Sequence, residues 1–114
     1  MPDDSDFHAS TSPDARQIVQ SILGCKWSFA ILEAVREGIR RPGALERHCQ
    51  GISPKVLQER LRKLTRLGVL ERHAFPEIPP RVEYHFTDKG HRFGDLLDMI
   101  DRLEEELRAE SDSA

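Results

Sequence analysis

The chain has 114 residues, of which 38% are hydrophobic and 32% charged, and its formal net charge at pH 7 is -3. This length suits one small domain with a single core and excludes a second. The first residues are acidic and no apolar run approaches the length of a membrane span, so we predict a cytoplasmic protein without a membrane partner. The two cysteines, Cys25 and Cys49, form no CxxC pair, which argues against a zinc site or a disulfide framework and favours buried small hydrophobes.

Charge is divided unevenly along the chain. Between Arg36 and Arg92 there are 13 Lys and Arg residues against 7 Asp and Glu, whereas the remainder has 4 against 13. The middle of the chain is therefore basic and its two ends are acidic. Because phosphate binding depends on local charge, this segregation favours a nucleic-acid partner in spite of the negative total.

The N-terminal part begins with a segment that has no structural pattern. Residues 1–11 are polar and acidic, and we predict a flexible arm. A first helix is predicted with Ser12 as its N-cap and Pro13 at its first position, where the missing N–H costs nothing. Gly24 is predicted to end this helix.

Two further helices follow at short intervals. The second is predicted to begin near Lys26–Trp27 and to end at Gly38. Trp27, the single tryptophan, is interpreted as a core anchor. Pro42 opens a third helix that reaches about Cys49, with Leu45 and Cys49 spaced to lie on one face.

The clearest helix signal covers residues 53–67. Ser53 is a preferred N-cap, Pro54 fits the first helical position, and Gly68 closes the helix. One apolar stripe is formed by Leu57, Leu61, Leu64 and Leu67. The opposite side is mostly basic and carries Lys55, Glu59, Arg62, Lys63 and Arg66. Together with the third helix and its glycine-containing turn, this pattern predicts a helix-turn-helix.

After Gly68 the apolar period changes to two. Residues 69–75 and 81–87 predict two strands, joined by a tip in which three of the five residues are proline. A hairpin directly after a helix-turn-helix is typical of a wing, and Arg81 at its base would approach a phosphate or a groove. We therefore predict a mainly α fold with a small β-hairpin wing (α+β), a winged helix-turn-helix over residues 12–110.

A long final helix is predicted to begin after Thr87 as its N-cap, with a flexible tail at residues 111–114. Its apolar stripe exceeds what a small domain can cover, so we predict contact with a second copy of the chain. The predicted dimerisation residues are Ile18, Ile22, Phe93, Leu96, Leu97, Ile100 and Leu103. The alternative, in which this helix packs on its own domain, stays open.

Several stretches together resemble the HxlR-type bacterial winged-helix regulators, relatives of the MarR group. These stretches are Gly24–Trp27, Gly51–Leu61, Leu67–Leu70, Pro76–Tyr84 and Thr87–Gly90. The resemblance covers about residues 12–108. It implies a homodimeric transcriptional regulator that binds double-stranded DNA, associates with the nucleoid when bound, and places the helix starting at Ser53 in the major groove with the wing at 75–82 beside it.

The resemblance also implies which residues contact DNA. Ser53, Lys55, Gln58, Glu59 and Arg62 match the groove-facing helix, and Arg81 matches the wing arginine. The full predicted DNA-binding set is Arg41, Ser53, Lys55, Gln58, Glu59, Arg62, Lys63 and Arg81. Members of this family often carry a Cys-Pro pair near the start of the first helix, where this chain has Ser12 and Pro13. The sequence leaves open whether Cys25 or Cys49 senses redox state, and whether a small-molecule effector binds.

Histidines are the main candidates for a function other than regulation. The histidines at positions 48, 73, 85 and 91 show no metal-ligand spacing, and no nucleophile elbow or phosphate loop occurs in the sequence. We therefore predict no enzyme, no cofactor and no metal, with the histidines scattered over the surface.

The alternative to a DNA-binding regulator is a protein-interaction or dimerisation module whose basic face is only solvated. A salt-dependent shift of duplex DNA separates the two, because phosphate neutralisation makes affinity fall with salt.

Overall fold

A computed structural model describes residues 14–113 of the chain. This part consists of six helices and one two-stranded antiparallel sheet. In chain order the elements are α1 (Ala15–Gly24), α2 (Ser28–Arg36), α3 (Pro42–His48), α4 (Pro54–Arg66), β1 (Leu70–Phe75), β2 (Arg81–Phe86), α5 (Asp88–His91) and α6 (Gly94–Ser113). The predicted mainly α fold with a β-hairpin wing is confirmed.

Helix α1 begins later than the sequence pattern predicts. Its N-cap is Asp14, whose carboxylate accepts from the Gln17 backbone N–H at 2.9 Å, while Gln17 Oε1 accepts from the Asp14 N–H at 3.0 Å. This reciprocal pair is a capping box, which satisfies two helix-end donors at once. Ser12 and Pro13, like the predicted arm at 1–11, lie outside the described residues.

Helices α1 and α2 supply much of the core and meet at a sharp angle. Ile31, Leu32 and Val35 of α2 are fully buried, and Trp27, the N-cap of α2, is half-buried against them. Among residues 14–113 no single helix is long and apolar enough to cross a membrane. The pair α1 and α2 meets that test only in length and composition, and it is bent by 102°.

The turn between α3 and α4 is fixed at both of its ends. Gly51 has a φ of +96°, which L side chains rarely adopt, and a Cβ at this position would lie 3.7 Å from the Trp27 ring. Ser53 then caps α4, because its hydroxyl oxygen accepts from the Val56 N–H at 3.1 Å. The buried leucines of α4 are those predicted: Leu57, Leu61 and Leu64, with Leu67 half-buried at the end. The predicted helix-turn-helix is therefore present, with α4 as its second helix.

Helix α4 ends in a Schellman arrangement around Gly68. The Val69 N–H donates to the Leu64 carbonyl and the Gly68 N–H to the Thr65 carbonyl, both at 3.0 Å. Gly68 has a φ of +79°, as this motif requires. The chain therefore turns directly from α4 into β1, which brings the wing close to the helix.

The wing is the hairpin of β1 and β2, in a register that pairs Leu70 with Phe86 and Phe75 with Arg81. Because side chains alternate along a strand, one face turns to the core and includes the buried Leu70 and Tyr84. The other face, called the outer face below, carries Glu71, His73, Phe75, Arg81, Glu83 and His85. The tip at residues 76–80 is exposed throughout.

The C-terminal segment departs from the predicted single helix. Thr87 is an N-cap, but of the short helix α5, where its hydroxyl oxygen accepts from the Gly90 N–H at 2.9 Å. The Phe93 N–H then donates to the Gly90 carbonyl, a tight i to i+3 bond, before α6 starts at Gly94. The break falls between two glycines, which favour helix less than other residues do. Helix α6 also runs on to Ser113, so residues 111–113 of the tail predicted at 111–114 are helical.

One arginine, Arg36, connects α2 to the start of α6. Arg36 donates to the Gly94 carbonyl oxygen at 3.0 Å and to Asp98 at 2.8 Å, and it also reaches Glu33 and Asp101. Burial raises the pKa of Glu33 above its usual value, with Arg36 opposing the shift and Asp101 adding to it. Burial alone would lower the pKa of Arg36, but Glu33 and Asp98 outweigh it and raise this pKa. The start of α6 thus packs on its own domain.

Three of the predicted dimerisation residues lie in the core of the chain itself. Ile18 and Ile22 on α1 and Leu97 on α6 are 1%, 0% and 0% exposed. Side chains with no exposed surface cannot contact a second copy unless the domain repacks. We therefore assign these three residues to the core, where they join α1 and α6 to the rest of the domain.

Candidate nucleic-acid interface

The outward face of α4 presents polar side chains that have no partner in the described residues. Lys55, Gln58, Glu59 and Arg62 are exposed and Lys63 is half-buried. None of their side chains makes a hydrogen bond or an ion pair with another group of residues 14–113. The buried leucine stripe on the opposite side fixes the rotation of the helix, so these side chains must point to solvent. They keep their full capacity to bind an external ligand.

Two other predicted DNA-binding residues lie at helix starts. Ser53 is exposed, but its hydroxyl oxygen serves as the N-cap acceptor of α4, so its first role is structural. Arg41 is the exposed, extended residue before α3, and its charge reaches Glu83 on the wing. The neighbouring Arg40 carbonyl oxygen accepts from the Tyr84 N–H at 2.8 Å. Residues 40–41 therefore connect the helix-turn-helix to the wing.

Arg81, the predicted wing contact, is occupied by groups of the wing itself. Its guanidinium pairs with Glu77 at 2.9 Å and with Glu83 at 3.1 Å, and it lies 4.0 Å above the Phe75 ring. Its Nε is buried and has no hydrogen-bond partner among the described residues. A phosphate would therefore have to compete with two carboxylates for Arg81, which is not the case for Lys55 or Arg62.

The structure brings together two histidines that sequence reasoning left scattered over the surface. His73 and His85 stack on the outer face of the wing with ring centroids 4.5 Å apart and an interplanar angle of 23°. The sequence contained a usable signal, because pairing Phe75 with Arg81 across the tip sets His73 opposite Glu83 and His85 opposite Glu71. Within the described part of the chain, no three His, Cys, Asp or Glu side chains are grouped so as to hold a metal ion.

The two cysteines lie in different environments. Cys49 is buried at the end of α3, and burial raises the pKa of its thiol. Cys25 is half-buried and lines an apolar groove between the end of α1 and α6. Since the thiolate is the reactive form, the environment of Cys49 disfavours its reaction.

We predict that Cys49 reacts slowly with a thiol reagent in the folded protein. In a Cys25→Ser variant, the rate of labelling by Ellman's reagent at pH 7.5 should be at least about tenfold lower than that of the same variant in denaturant, because burial removes both access and thiolate. The Cys49→Ser variant reports Cys25 under the same conditions. Equal rates for folded and unfolded Cys25→Ser protein would contradict the protection of Cys49 by burial.

Comparison with known proteins places this geometry in a family. Residues 22–112 match the family model of the HxlR-like helix-turn-helix. The chain is 40% identical over 87 residues to the HTH-type transcriptional regulator sll1512 of Synechocystis sp., an alignment that covers 76% of this chain and 64% of that protein. It is 36% identical over 87 residues to a protein of Fusobacterium mortiferum named as the regulatory protein MalR, covering 75% of this chain and 82% of that protein.

Solved structures agree with these relatives. A crystal structure from Enterococcus faecalis V583, described as a transcriptional regulator of the MarR family, superposes with a TM-score of 0.73 at 29% identity, covering 91% of this chain and 96% of that one. The residues that match the family model include the helix-turn-helix, the wing and nearly all of α6. The relatives are transcriptional regulators, a class of proteins that are not enzymes. This chain therefore belongs to the HxlR-like helix-turn-helix family of transcriptional regulators.

Proposed function

We propose that this chain acts as a homodimer that binds a specific DNA site, with α4 in the major groove and the wing beside it. The observation that carries the proposal is the outward face of α4, where Lys55, Gln58 and Arg62 are exposed and make no hydrogen bond or ion pair within residues 14–113. Lysine, glutamine and arginine are side chains that bind base edges and phosphates in a groove. The basic middle of the chain supplies the attraction to the phosphate backbone.

The homodimer follows from the surface that α6 leaves uncovered. An apolar groove of about 390 Å³ lies between α1 and α6. Leu23 on α1 and Leu103 and Leu107 on α6 border it, and they are 58%, 53% and 55% exposed. One chain presents a single α4, whereas regulators of this kind read two half-sites about 34–36 Å apart. A second copy packed on this groove would cover the leucines and supply the second α4.

Substitutions on α4 test the groove assignment. Lys55→Ala and Gln58→Ala should each relax sequence preference by about 1–3 kcal/mol for every base that the variant no longer reads, because both residues lie in the first turns of the helix. Arg62→Ala, further along the helix, should weaken specific and random DNA more evenly, as expected for a side chain that binds phosphate. A duplex selected from a random pool and a scrambled duplex of the same length are titrated with each variant.

Arg102→Ala is the matched control, since Arg102 is an exposed arginine on α6, outside the surface of α4 and the wing that is proposed to bind DNA. It should bind both duplexes like the unchanged protein. If all three α4 variants lose specific and random affinity equally, α4 does not read bases. If the unchanged protein shows no salt-dependent DNA binding at all, the apolar groove favours the alternative of a protein-interaction module.

A further inference from the structure

The outer face of the wing holds a compact group of titratable side chains. His73 Nε2 lies 3.0 Å from Glu71 Oε2, and His85 Nε2 lies 2.9 Å from Glu83 Oε1. The two rings stack on each other, so the four side chains form one cluster across both strands. Imidazole is the side chain that ordinarily changes its charge between pH 5 and 8. The charge of this face therefore depends on pH.

Charged groups from several elements surround the pair. Arg81 on β2 shares Glu83 with His85, and Glu77 at the tip pairs with Arg81. Arg41, ahead of α3, also acts on Glu83. A small cavity of about 130 Å³ next to His85 is bordered by further titratable groups of α2, the segment ahead of α3, and α5: Arg36, Arg40 and His91.

The surroundings of Glu83 favour its charged form. The hydrogen bond from His85 is the main factor that holds the pKa of Glu83 below its usual value, and the charges of Arg81 and Arg41 add to it although burial opposes it. With both imidazoles neutral, Glu71, Glu83 and Arg81 together give the outer face one net negative charge. With both protonated, it has one net positive charge.

We propose that His73 and His85 form a proton-dependent binding site for a DNA phosphate on the wing. The proposal rests on the proposed function, because it assumes that the wing lies beside the groove that α4 occupies. Glu71 and Glu83 each occupy one Nε2, so a phosphate would bind the two stacked imidazolium rings through their other ring nitrogens, Nδ1, and would relieve the repulsion between the rings. The phosphate therefore binds together with protons.

DNA titrations at two pH values test this site. The salt slope of binding should be steeper at pH 5.5 than at pH 8 by about 0.9 for each imidazolium that reaches a phosphate, hence by about two per wing. Between 50 and 200 mM salt, one wing would then lose about tenfold more affinity at pH 5.5 than at pH 8. The double variant His73→Gln/His85→Gln keeps amide groups that can bond to Glu71 and Glu83, and it should lose this pH dependence.

The double variant His48→Gln/His91→Gln is the matched control, because it also removes two exposed imidazoles and leaves the stacked pair in place. It should keep the pH dependence of the unchanged protein. Circular dichroism at both pH values verifies that each variant is folded. The proposal is overturned if His73→Gln/His85→Gln keeps the pH dependence, or if the pH dependence disappears with the control pair instead.

Calorimetry supplies a second, independent readout. Binding at pH 6.5 in two buffers with different ionisation enthalpies measures the protons taken up with the DNA. Uptake should be positive for the unchanged protein and for the control pair, and close to zero for His73→Gln/His85→Gln. Absence of uptake in the unchanged protein would refute the site. Salt-dependent DNA binding without pH dependence overturns only this inference, whereas absence of DNA binding at both pH values overturns the proposed function itself.

Discussion

A chain that carries both Leu103→Asp and Leu107→Asp is expected to be a folded monomer that binds a two-half-site operator no better than random DNA. Both leucines are more than half exposed in the single chain, so aspartate at these positions is tolerated by the domain itself. In a dimer they would be covered, and an unpaired buried carboxylate costs several kcal/mol. Without the second copy, one α4 reads one half-site and most of the specific affinity disappears. Sedimentation measures the mass and a titration measures the affinity.

The matched control is Arg102→Gln with Arg108→Gln. This pair lowers the net charge of α6 by the same two units but leaves the leucines in place, so it should remain a dimer. Leu97 is not a suitable position, because it is buried in the core and Leu97→Asp would unfold the domain. A Leu103→Asp/Leu107→Asp monomer that binds the full operator as tightly as the unchanged protein would refute the dimer mechanism, and an unchanged protein that is itself monomeric would remove its premise.

The parts of the fold that could be predicted are those specified by local chemistry. Both ends of α4 follow from single residues: Ser53 because its hydroxyl oxygen reaches a free N–H, and Gly68 because only glycine readily takes a positive φ. The wing follows from the change of apolar period after Gly68. The outward face of α4 follows in turn, because the buried leucines determine which side chains remain exposed.

The parts that could not be predicted depend on contacts distant in sequence. An apolar stripe indicates that a surface is buried, but not which surface buries it, so Leu97 could not be distinguished from Leu103. The fold makes the difference, since Arg36 fixes the first turns of α6 against α2, whereas Leu103 further along the helix is more than half exposed. The pairing of Arg81 with Glu77 likewise follows from how the tip folds back, which its three prolines alone do not specify.

The break between α5 and α6 has the same kind of origin. A helix pattern continues from Thr87 through Phe93, but Gly90 is packed against the backbone at the base of the wing. A Cβ at Gly90 would lie 2.1 Å from the Val69 carbonyl oxygen and 3.0 Å from the Phe86 ring. That carbonyl oxygen also accepts from the Thr87 N–H at 3.1 Å, so it is not free to move away. The contacts of Thr87 and Gly90 with Val69 thus pack α5 against the residue that precedes β1.

Gly90→Ala is therefore expected to destabilise the domain more than any conservative surface change. A methyl group cannot fit 2.1 Å from a backbone oxygen, so either α5 or the base of the wing must shift. Overpacking of this kind costs about 1–3 kcal/mol, which for a domain of this size lowers the melting temperature by about 4–8 °C per kcal/mol. Because the displaced wing no longer lies beside α4, DNA affinity should fall as well.

Gly94→Ala is the control that separates crowding from the removal of a glycine. No atom lies within 4 Å of a Cβ at Gly94, which is the first residue of α6. Alanine favours helix over glycine by up to about 1 kcal/mol, so this variant should melt at the same temperature as the unchanged protein or slightly higher. Thermal unfolding followed by circular dichroism compares the two variants. If Gly90→Ala and Gly94→Ala have the same melting temperature, the close packing of Gly90 on Val69 does not contribute to the stability of the domain.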